Sequence, residues 1–205
     1  VGNGPVDLQA ALTVSSDTYF YRIGDESWRA RGSIGETAMQ DSMTTWGLAQ
    51  RTGVGLPGES PGRIPTPEWL WDFSHQINDD PAMAEEAGTW TAGVSGNTMV
   101  GQGDVLATPL QLAQGYGTLA NGGNVWRPQL VLQVTDYASG GHPVVLEPET
   151  TGQVELPAGW RDPMVAGFDG VTKTGTAATP FSAVDQSECP VAGKTGTAQV
   201  TGKND

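Results

Sequence analysis

The sequence has little cysteine and histidine, the side chains that most often hold metal ions or close disulfides. Its single cysteine, Cys189, excludes an internal disulfide and any metal site built from several cysteines. The two histidines, His75 and His142, lie far apart and have no neighbouring ligand pattern. We therefore interpret them as surface or structural residues and predict no metal site.

Positive charge is also scarce, with 10 Lys and Arg against 23 Asp and Glu and a formal net charge of −13. Nucleic acids and anionic lipid surfaces both require clustered Lys and Arg, so neither is expected as a partner. No run reaches the roughly 18 apolar residues of a membrane span, and residues 1–20 do not form a signal peptide. Any anchor or export signal is expected upstream of residue 1.

The composition is that of a folded chain, because 37% hydrophobic residues and 7 Trp are too many for a disordered one. The length of 205 residues suits one domain. Thr66-Pro67 and Thr108-Pro109 are typical helix starts, while residues 76–100 give no clear pattern. The predicted elements are helices over 6–14, 36–50, from 67, from 109 to about 120 and from 162 to about 171, a loop over 52–62, a hairpin with arms 129–135 and 143–147, and a strand over 191–200.

An identical pentapeptide, K-T-G-T-A, begins at Lys173 and again at Lys194. The second copy lies in the predicted strand, where a lysine can point into a cleft and a glycine lets another backbone approach. Threonine hydroxyls there can bind a carboxylate, and the Thr197 N–H can face a developing oxyanion. The first copy follows a predicted helix end and precedes Pro180, which a central strand would not tolerate. We therefore predict that the second copy is functional and the first is not.

Several further patterns occur in a recognisable order. Enzymes with an active-site serine that bind penicillin use S-x-x-K, then S-x-N or S-x-D, then K-[ST]-G. Residues 15–17 (S-S-D) fit the second element, and residues 194–196 (K-T-G) fit the third. The chain between them resembles the class B penicillin-binding proteins over almost its full length, and the aspartate is typical of their elongation-type, penicillin-binding protein 2-like branch. The matching segments are Thr52–Glu59, Gly62–Pro65, Gly101–Gly103, Thr108–Gln111 and Ala120–Gly123.

This resemblance implies an α+β chain with a partial β-lactamase/transpeptidase-like fold. Most of it would be the helical lobe, joined by the K-T-G strand and a small hairpin. Residues 1–205 would form a single, incomplete transpeptidase domain, with the nucleophile segment upstream and the last sheet strands downstream. We expect another copy or a companion polypeptide to cover the exposed sheet edge.

The resemblance also implies the site. Ser15 would relay a proton, Lys194 would supply positive charge, and Asp17 would orient a lysine that follows the nucleophile. Thr195, Gly196 and Thr197 would bind the substrate, and no metal or organic cofactor is implied. One alternative for Asp17 is plain helix capping. Residues 101–103 are a candidate for the cleft floor near the lysine, although we favour close backbone packing as the reason for the glycines.

None of the serines has a lysine three residues later, so the nucleophile is expected before residue 1. The implied activity of the parent protein is D,D-transpeptidation of peptidoglycan stem peptides ending in D-Ala-D-Ala, with β-lactams as inhibitors and other cell-wall synthesis proteins as partners. The implied location is the extracytoplasmic face of the bacterial membrane. Two alternatives remain: a β-lactamase or D,D-carboxypeptidase of the same fold, and a non-catalytic penicillin-binding sensor.

Overall fold

A computed structural model describes residues 4–136 and 141–197, which divide into two compact units. The first unit contains residues 4–38, 65–105 and 156–197, and the second contains 39–64, 106–136 and 141–155. The helices are α1 (Leu8–Thr13), α2 (Asp17–Ile34), α3 (Ala38–Thr45), α4 (Pro67–Ile77), α5 (Pro81–Gly88), α6 (Ala92–Met99), α7 (Pro109–Ala120) and α8 (Arg161–Lys173), and the strands are β1 (Asn124–Trp126), β2 (Gln133–Val134), β3 (Val144–Val145) and β4 (Thr150–Gln153).

In the first unit, α1 packs along α8, and this contact positions the turn that follows α1. The two helices approach closely because α8 presents Gly167, where an added Cβ would lie 2.8 Å from the Leu12 Cβ. The contact is well buried, since Ala11 of α1 is 0% exposed and Val171 of α8 is 1% exposed. The Asp7 carboxylate caps α1 by accepting a hydrogen bond from the Ala10 N–H at 2.8 Å.

A second close helix pair, α2 with α6, depends on glycine. A Cβ on Gly24 would lie 2.7 Å from the Gly96 Cα and 2.8 Å from the Ser95 carbonyl oxygen. Both neighbours are backbone atoms, so no side chain could move aside. The absence of a side chain at residue 24 therefore sets the distance between these helices.

We expect Gly24→Ala to lower the free energy of unfolding by about 1–3 kcal/mol, because the added methyl group forces the two helices apart. Gly32→Ala is the matched control, since Gly32 lies in the same helix with no atom within 4 Å of its Cβ position. That substitution should raise the free energy of unfolding by about 0.5–1 kcal/mol, as alanine is the better helix former. Denaturant unfolding of both variants measures the difference. Equal stabilities would contradict the proposed close contact.

The second unit is organised around Gln111, which is only 1% exposed. Its side chain completes a capping box with Thr108 at the start of α7. The same amide donates to the Gln50 carbonyl at 2.6 Å and to the Pro61 carbonyl at 2.7 Å. These bonds hold both ends of the loop over residues 52–62 against the helix. The predicted loop and the predicted helix start are therefore confirmed, and they stabilise one another.

The strands form two antiparallel pairs, β1 with β4 and β2 with β3. The second pair is the predicted hairpin, with Gln133 opposite Val145 and Val134 opposite Val144, while residues 137–140 between its arms lie outside the described residues. The first pair was not predicted. The unassigned stretch contains α5 and α6, which begin at the side-chain caps Asp80 and Thr91.

The prediction of a strand over residues 191–200 is wrong for its described part, because residues 191–197 form no strand. Their backbone groups instead bond to neighbouring helices and side chains. The Thr172 hydroxyl donates to the Val191 carbonyl at 2.5 Å, and the Gly193 N–H donates to the Phe168 carbonyl at 3.1 Å. No described strand lies alongside to form a ladder, and residues 198–200 lie outside the described part of the chain.

Candidate active site

Ser15 lies in a strained turn at the end of α1. Its N–H donates to the Leu12 carbonyl at 3.3 Å, and the next N–H, of Ser16, donates to the Ala11 carbonyl at 2.9 Å. This pair of bonds is a Schellman motif, which places Ser15 in the left-handed position that glycine usually takes, with φ 54°. A residue with a Cβ pays about 1–2 kcal/mol for that conformation. Strain of this kind is concentrated at functional sites, so the turn points to a role for the hydroxyl.

Asp17 begins α2 immediately after this turn. The N-cap residue of α2 is Ser16, and its side chain makes no capping bond. Asp17 is therefore not the helix cap, and the capping alternative does not describe it. Burial lowers the pKa of Lys194, and the charge of the Asp17 carboxylate opposes this lowering only in part.

Lys194 meets Ser15 although 179 residues separate them in the sequence. The Lys194 Nζ donates to the Ser15 Oγ at 2.6 Å and to the Thr195 carbonyl at 2.8 Å. Burial lowers the pKa of Lys194 and the nearby Asp17 charge opposes this effect, with a lowered pKa as the result. The three residues predicted to be catalytic thus lie close together, with a lysine that gives up its proton more readily than an exposed one.

The predicted substrate-binding residues, 195–197, come directly after Lys194 in the chain. The Thr195 Oγ1 lies 2.7 Å from the Thr176 Oγ1, and the Thr197 carbonyl accepts a hydrogen bond from the Gln102 Nε2 at 3.0 Å. Around the Cβ position of Gly196 there is no atom within 4 Å, so its face is open to an approaching backbone. The sequence made residues 101–103 a candidate for the cleft floor near the lysine, but it predicted no specific contact for Gln102 or Thr176. Gln102 lies in the motif over residues 101–103 and Thr176 lies in the first pentapeptide, so the only sequence signal for either residue was its place in a motif.

The lysine of the first pentapeptide is placed differently. Lys173 is the last residue of α8, and its Nζ forms an ion pair with the Asp169 carboxylate at 2.7 Å, one turn earlier in the same helix. Both side chains are substantially exposed. The structure therefore brings Lys194, and not Lys173, to Ser15.

The glycines of Gly101–Gly103 require a correction. They were interpreted as close-packing residues, yet an added Cβ on Gly101 or Gly103 would meet no atom within 4 Å. Their φ angles are 77° and 70°, in the left-handed region that favours glycine. The glycines are there for a turn, and this turn aims Gln102 at the Thr197 carbonyl.

A groove of about 800 Å³ extends from Ser15 and Asp17 along the first turns of α2. Its walls include Tyr19 and Ile23 together with the charged side chains of Arg22 and Glu26, which pair with each other at 2.8 Å.

In the part of the chain that the structure describes, no cluster of three His, Cys, Asp or Glu side chains could hold a metal ion. No described helix is both long and apolar enough to cross a membrane.

A helical lobe that joins S-x-D to K-T-G in one site defines the class of active-site serine enzymes that bind penicillin. The family model for the penicillin binding protein transpeptidase domain matches residues 1–205, and the chain belongs to this family. It is 32% identical to the peptidoglycan D,D-transpeptidase MrdA of Acinetobacter baumannii, over 97% of this chain and 26% of that protein. The chain thus spans about a quarter of the length of this relative.

Solved structures show the same likeness. Penicillin-binding protein 2 (PBP2) of Helicobacter pylori matches with a TM-score of 0.70 and 26% identity, over 97% of this chain and 32% of that one. A complex of that protein with MreC matches with a TM-score of 0.68 and 26% identity, over 97% and 32%. The predicted resemblance and the α+β fold class, dominated by the helical lobe, are confirmed.

Proposed function

We propose that this chain is the C-terminal part of the transpeptidase domain of a D,D-transpeptidase that cross-links peptidoglycan stem peptides. The observation that carries the proposal is the 2.6 Å contact between the Lys194 Nζ and the Ser15 Oγ, with Asp17 beside it. Family membership and the relatives named D,D-transpeptidases support it. Residues 1–205 would be one part of a single transpeptidase domain.

The reaction would proceed through an acyl-enzyme. A serine outside these 205 residues attacks the carbonyl carbon of the penultimate D-alanine, forming a C–O bond. The C–N bond to the terminal D-alanine breaks, and that amine leaves with a proton. An amino group of a neighbouring stem peptide then attacks the ester, forms the new amide and returns the serine oxygen with its proton.

The described residues would act on protons and charge. Ser15 would pass a proton toward the leaving amine, since its hydroxyl can donate and accept at once. Lys194 would stabilise negative charge beside it, and its lowered pKa suits a group that shares a proton with Ser15. Asp17 would orient the ammonium of the lysine that follows the nucleophile. It accepts hydrogen bonds but, when ionised, donates none.

Substrate recognition would fall to the segment after Lys194. The hydroxyls of Thr195 and Thr197 would hold the terminal carboxylate of D-Ala-D-Ala, or the carboxylate of a β-lactam. The Thr197 N–H would face the oxyanion, and the open face of Gly196 would admit the peptide backbone. Other cell-wall synthesis proteins would be partners, and the extracytoplasmic face of the bacterial membrane would be the location.

Labelling with a fluorescent penicillin tests the proposal. The longer protein that contains this chain should form a covalent adduct, and the 205-residue chain alone should form none, because it has no serine followed three residues later by lysine. An adduct on the short chain would contradict our placement of the nucleophile. Failure of the longer protein to label would contradict the proposal, whereas labelling without any reaction of stem peptides would favour a non-catalytic penicillin-binding sensor.

A stem-peptide assay distinguishes the remaining alternatives. A transpeptidase should release D-alanine and join the stem to an added amine acceptor. Release of D-alanine with no amide product would indicate a D,D-carboxypeptidase instead, because water would then take the acyl group. Turnover of the penicillin would indicate a β-lactamase.

A further inference from the structure

The first K-T-G-T-A pentapeptide contacts both the end of α1, which precedes Ser15, and the Thr195 hydroxyl. Its lysine contacts neither. Gly175 lies directly against the end of α1, where an added Cβ would collide with the Thr13 carbonyl oxygen. The Thr176 N–H donates to that same carbonyl at 3.4 Å, two residues before Ser15. On its other side, the Thr176 Oγ1 lies 2.7 Å from the Thr195 Oγ1. One short segment therefore links the turn that holds Ser15 to a predicted substrate-binding hydroxyl.

The segment is held firmly enough to serve as a fixed support. Ala177 is 7% exposed, and its N–H donates to the Val171 carbonyl at 3.0 Å. The Gly175 N–H donates to the Gly170 carbonyl at 2.9 Å, which ends α8 tightly. Thr176 thus projects from a backbone whose position is set on both sides by α8 and by α1.

The hydrogen-bond chemistry of two facing threonines gives this contact a direction. Each hydroxyl has one proton to donate and lone pairs to accept with. A carboxylate only accepts, so Thr195 must give its own proton to a bound carboxylate. Thr195 can then only accept from Thr176, which donates. Without that donor, the Thr195 hydroxyl is free to turn its proton toward other acceptors.

We propose that Thr176 is a positioning residue, which donates to the Thr195 hydroxyl and so aims the Thr195 proton at the carboxylate of the substrate. This inference rests on the proposed function of the site. It gives the first pentapeptide a role distinct from that of the second. The lysine of the first copy is an exposed helix-end residue, whereas its glycine packs against the end of α1 and its second threonine contacts the Thr195 hydroxyl.

The test compares two probes on the longer protein that contains this chain. One is a penicillin with its free carboxylate, and the other is the methyl ester of the same penicillin. Thr176→Val keeps the shape and removes the hydroxyl. It should slow acylation by the free acid about tenfold, the size expected when the hydrogen bond from Thr195 to the charged carboxylate is no longer aligned. Acylation by the ester should stay within about twofold of wild type, because the ester offers no charged oxygen to bind.

Two further variants separate positioning from folding. Thr176→Ser retains the hydroxyl and should restore most of the rate with the free acid. Thr174→Val is the matched control from the same pentapeptide, since its hydroxyl lies 3.4 Å from the Gly170 carbonyl of its own helix. It should leave both rates within about twofold of wild type.

The outcomes are distinct. An equal loss with both probes would mean that Thr176 supports the fold and not the hydroxyl of Thr195, and unchanged rates with both would mean that the contact has no consequence. Either result overturns the inference while leaving the proposed function standing. Wild-type protein that reacts with neither probe would overturn the proposed function, and the inference with it.

Discussion

Lys194→Ala is expected to slow acylation of the longer protein by penicillin about a hundredfold or more, the usual loss when a preorganised charged donor is removed. The ammonium of Lys194 lies 2.6 Å from the Ser15 hydroxyl, in a half-buried place where water replaces it poorly. Its loss would leave Ser15 without the positive charge that is proposed to support proton transfer. Stopped-flow or gel-based labelling with a fluorescent penicillin measures the rate.

Lys173→Ala provides an unusually close control, because the same four residues, T-G-T-A, follow both lysines in the sequence. Lys173 forms an exposed ion pair with Asp169 on α8, and such pairs contribute little. The rate at which penicillin acylates the Lys173→Ala variant should remain within about twofold of wild type. If both lysine variants lost activity equally, the assignment of the functional pentapeptide to residues 194–198 would be wrong.

Ser15→Gly and Ser15→Ala should both lose acylation by about a hundredfold or more, since each removes the group proposed to relay a proton. Their stabilities should differ. Glycine adopts the φ of 54° without a Cβ penalty, so Ser15→Gly should unfold with a free energy about 1 kcal/mol higher than Ser15→Ala. Denaturant unfolding and penicillin labelling of the same two preparations measure both effects.

The pair of variants separates strain from chemistry. If Ser15→Gly is the more stable protein and is still inactive, the left-handed serine is retained for its hydroxyl at a cost in stability. Equal stability of the two variants would argue that the turn relaxes and stores no strain. Retained activity in either variant would remove Ser15 from the proposed mechanism.

Local sequence patterns predicted those elements whose determinants are close together in the chain. Two helix starts, at Thr66-Pro67 and Thr108-Pro109, depend on a capping threonine and a proline, and the loop over 52–62 depends on glycine and proline. The structure contains both helix starts and the loop. The stretch over 76–100 was missed because its two helices are short and rich in small residues. Helix α6 has a weak apolar pattern, since Gly96 faces Gly24 of α2 and packing replaces hydrophobic side chains there.

The strand over 191–200 shows how a local pattern misleads. A run of small and β-branched residues favours an extended chain, but a strand also needs a neighbour to complete its hydrogen bonds. Among the described residues, the Val191 N–H donates to the nearby Gln186 side chain, and other bonds of 191–197 go to Thr172, Phe168 and Gln102. These last three partners lie far away in the sequence, and no local rule identifies them.

The sequence by itself determined the family and the order of its motifs, and it predicted residues 15–17 and 194–197 as site candidates, because motifs depend only on residue identity and spacing. The tertiary structure decided which of two identical pentapeptides meets Ser15. It also decided that Ser15 lies in a left-handed turn, that Thr176 contacts the Thr195 hydroxyl and that Gln102 donates to the Thr197 carbonyl. The physical reason is that a hydrogen bond depends on distance and direction, and residues 15 and 194 acquire both only when α1 packs on α8 and the segment after α8 folds back across them.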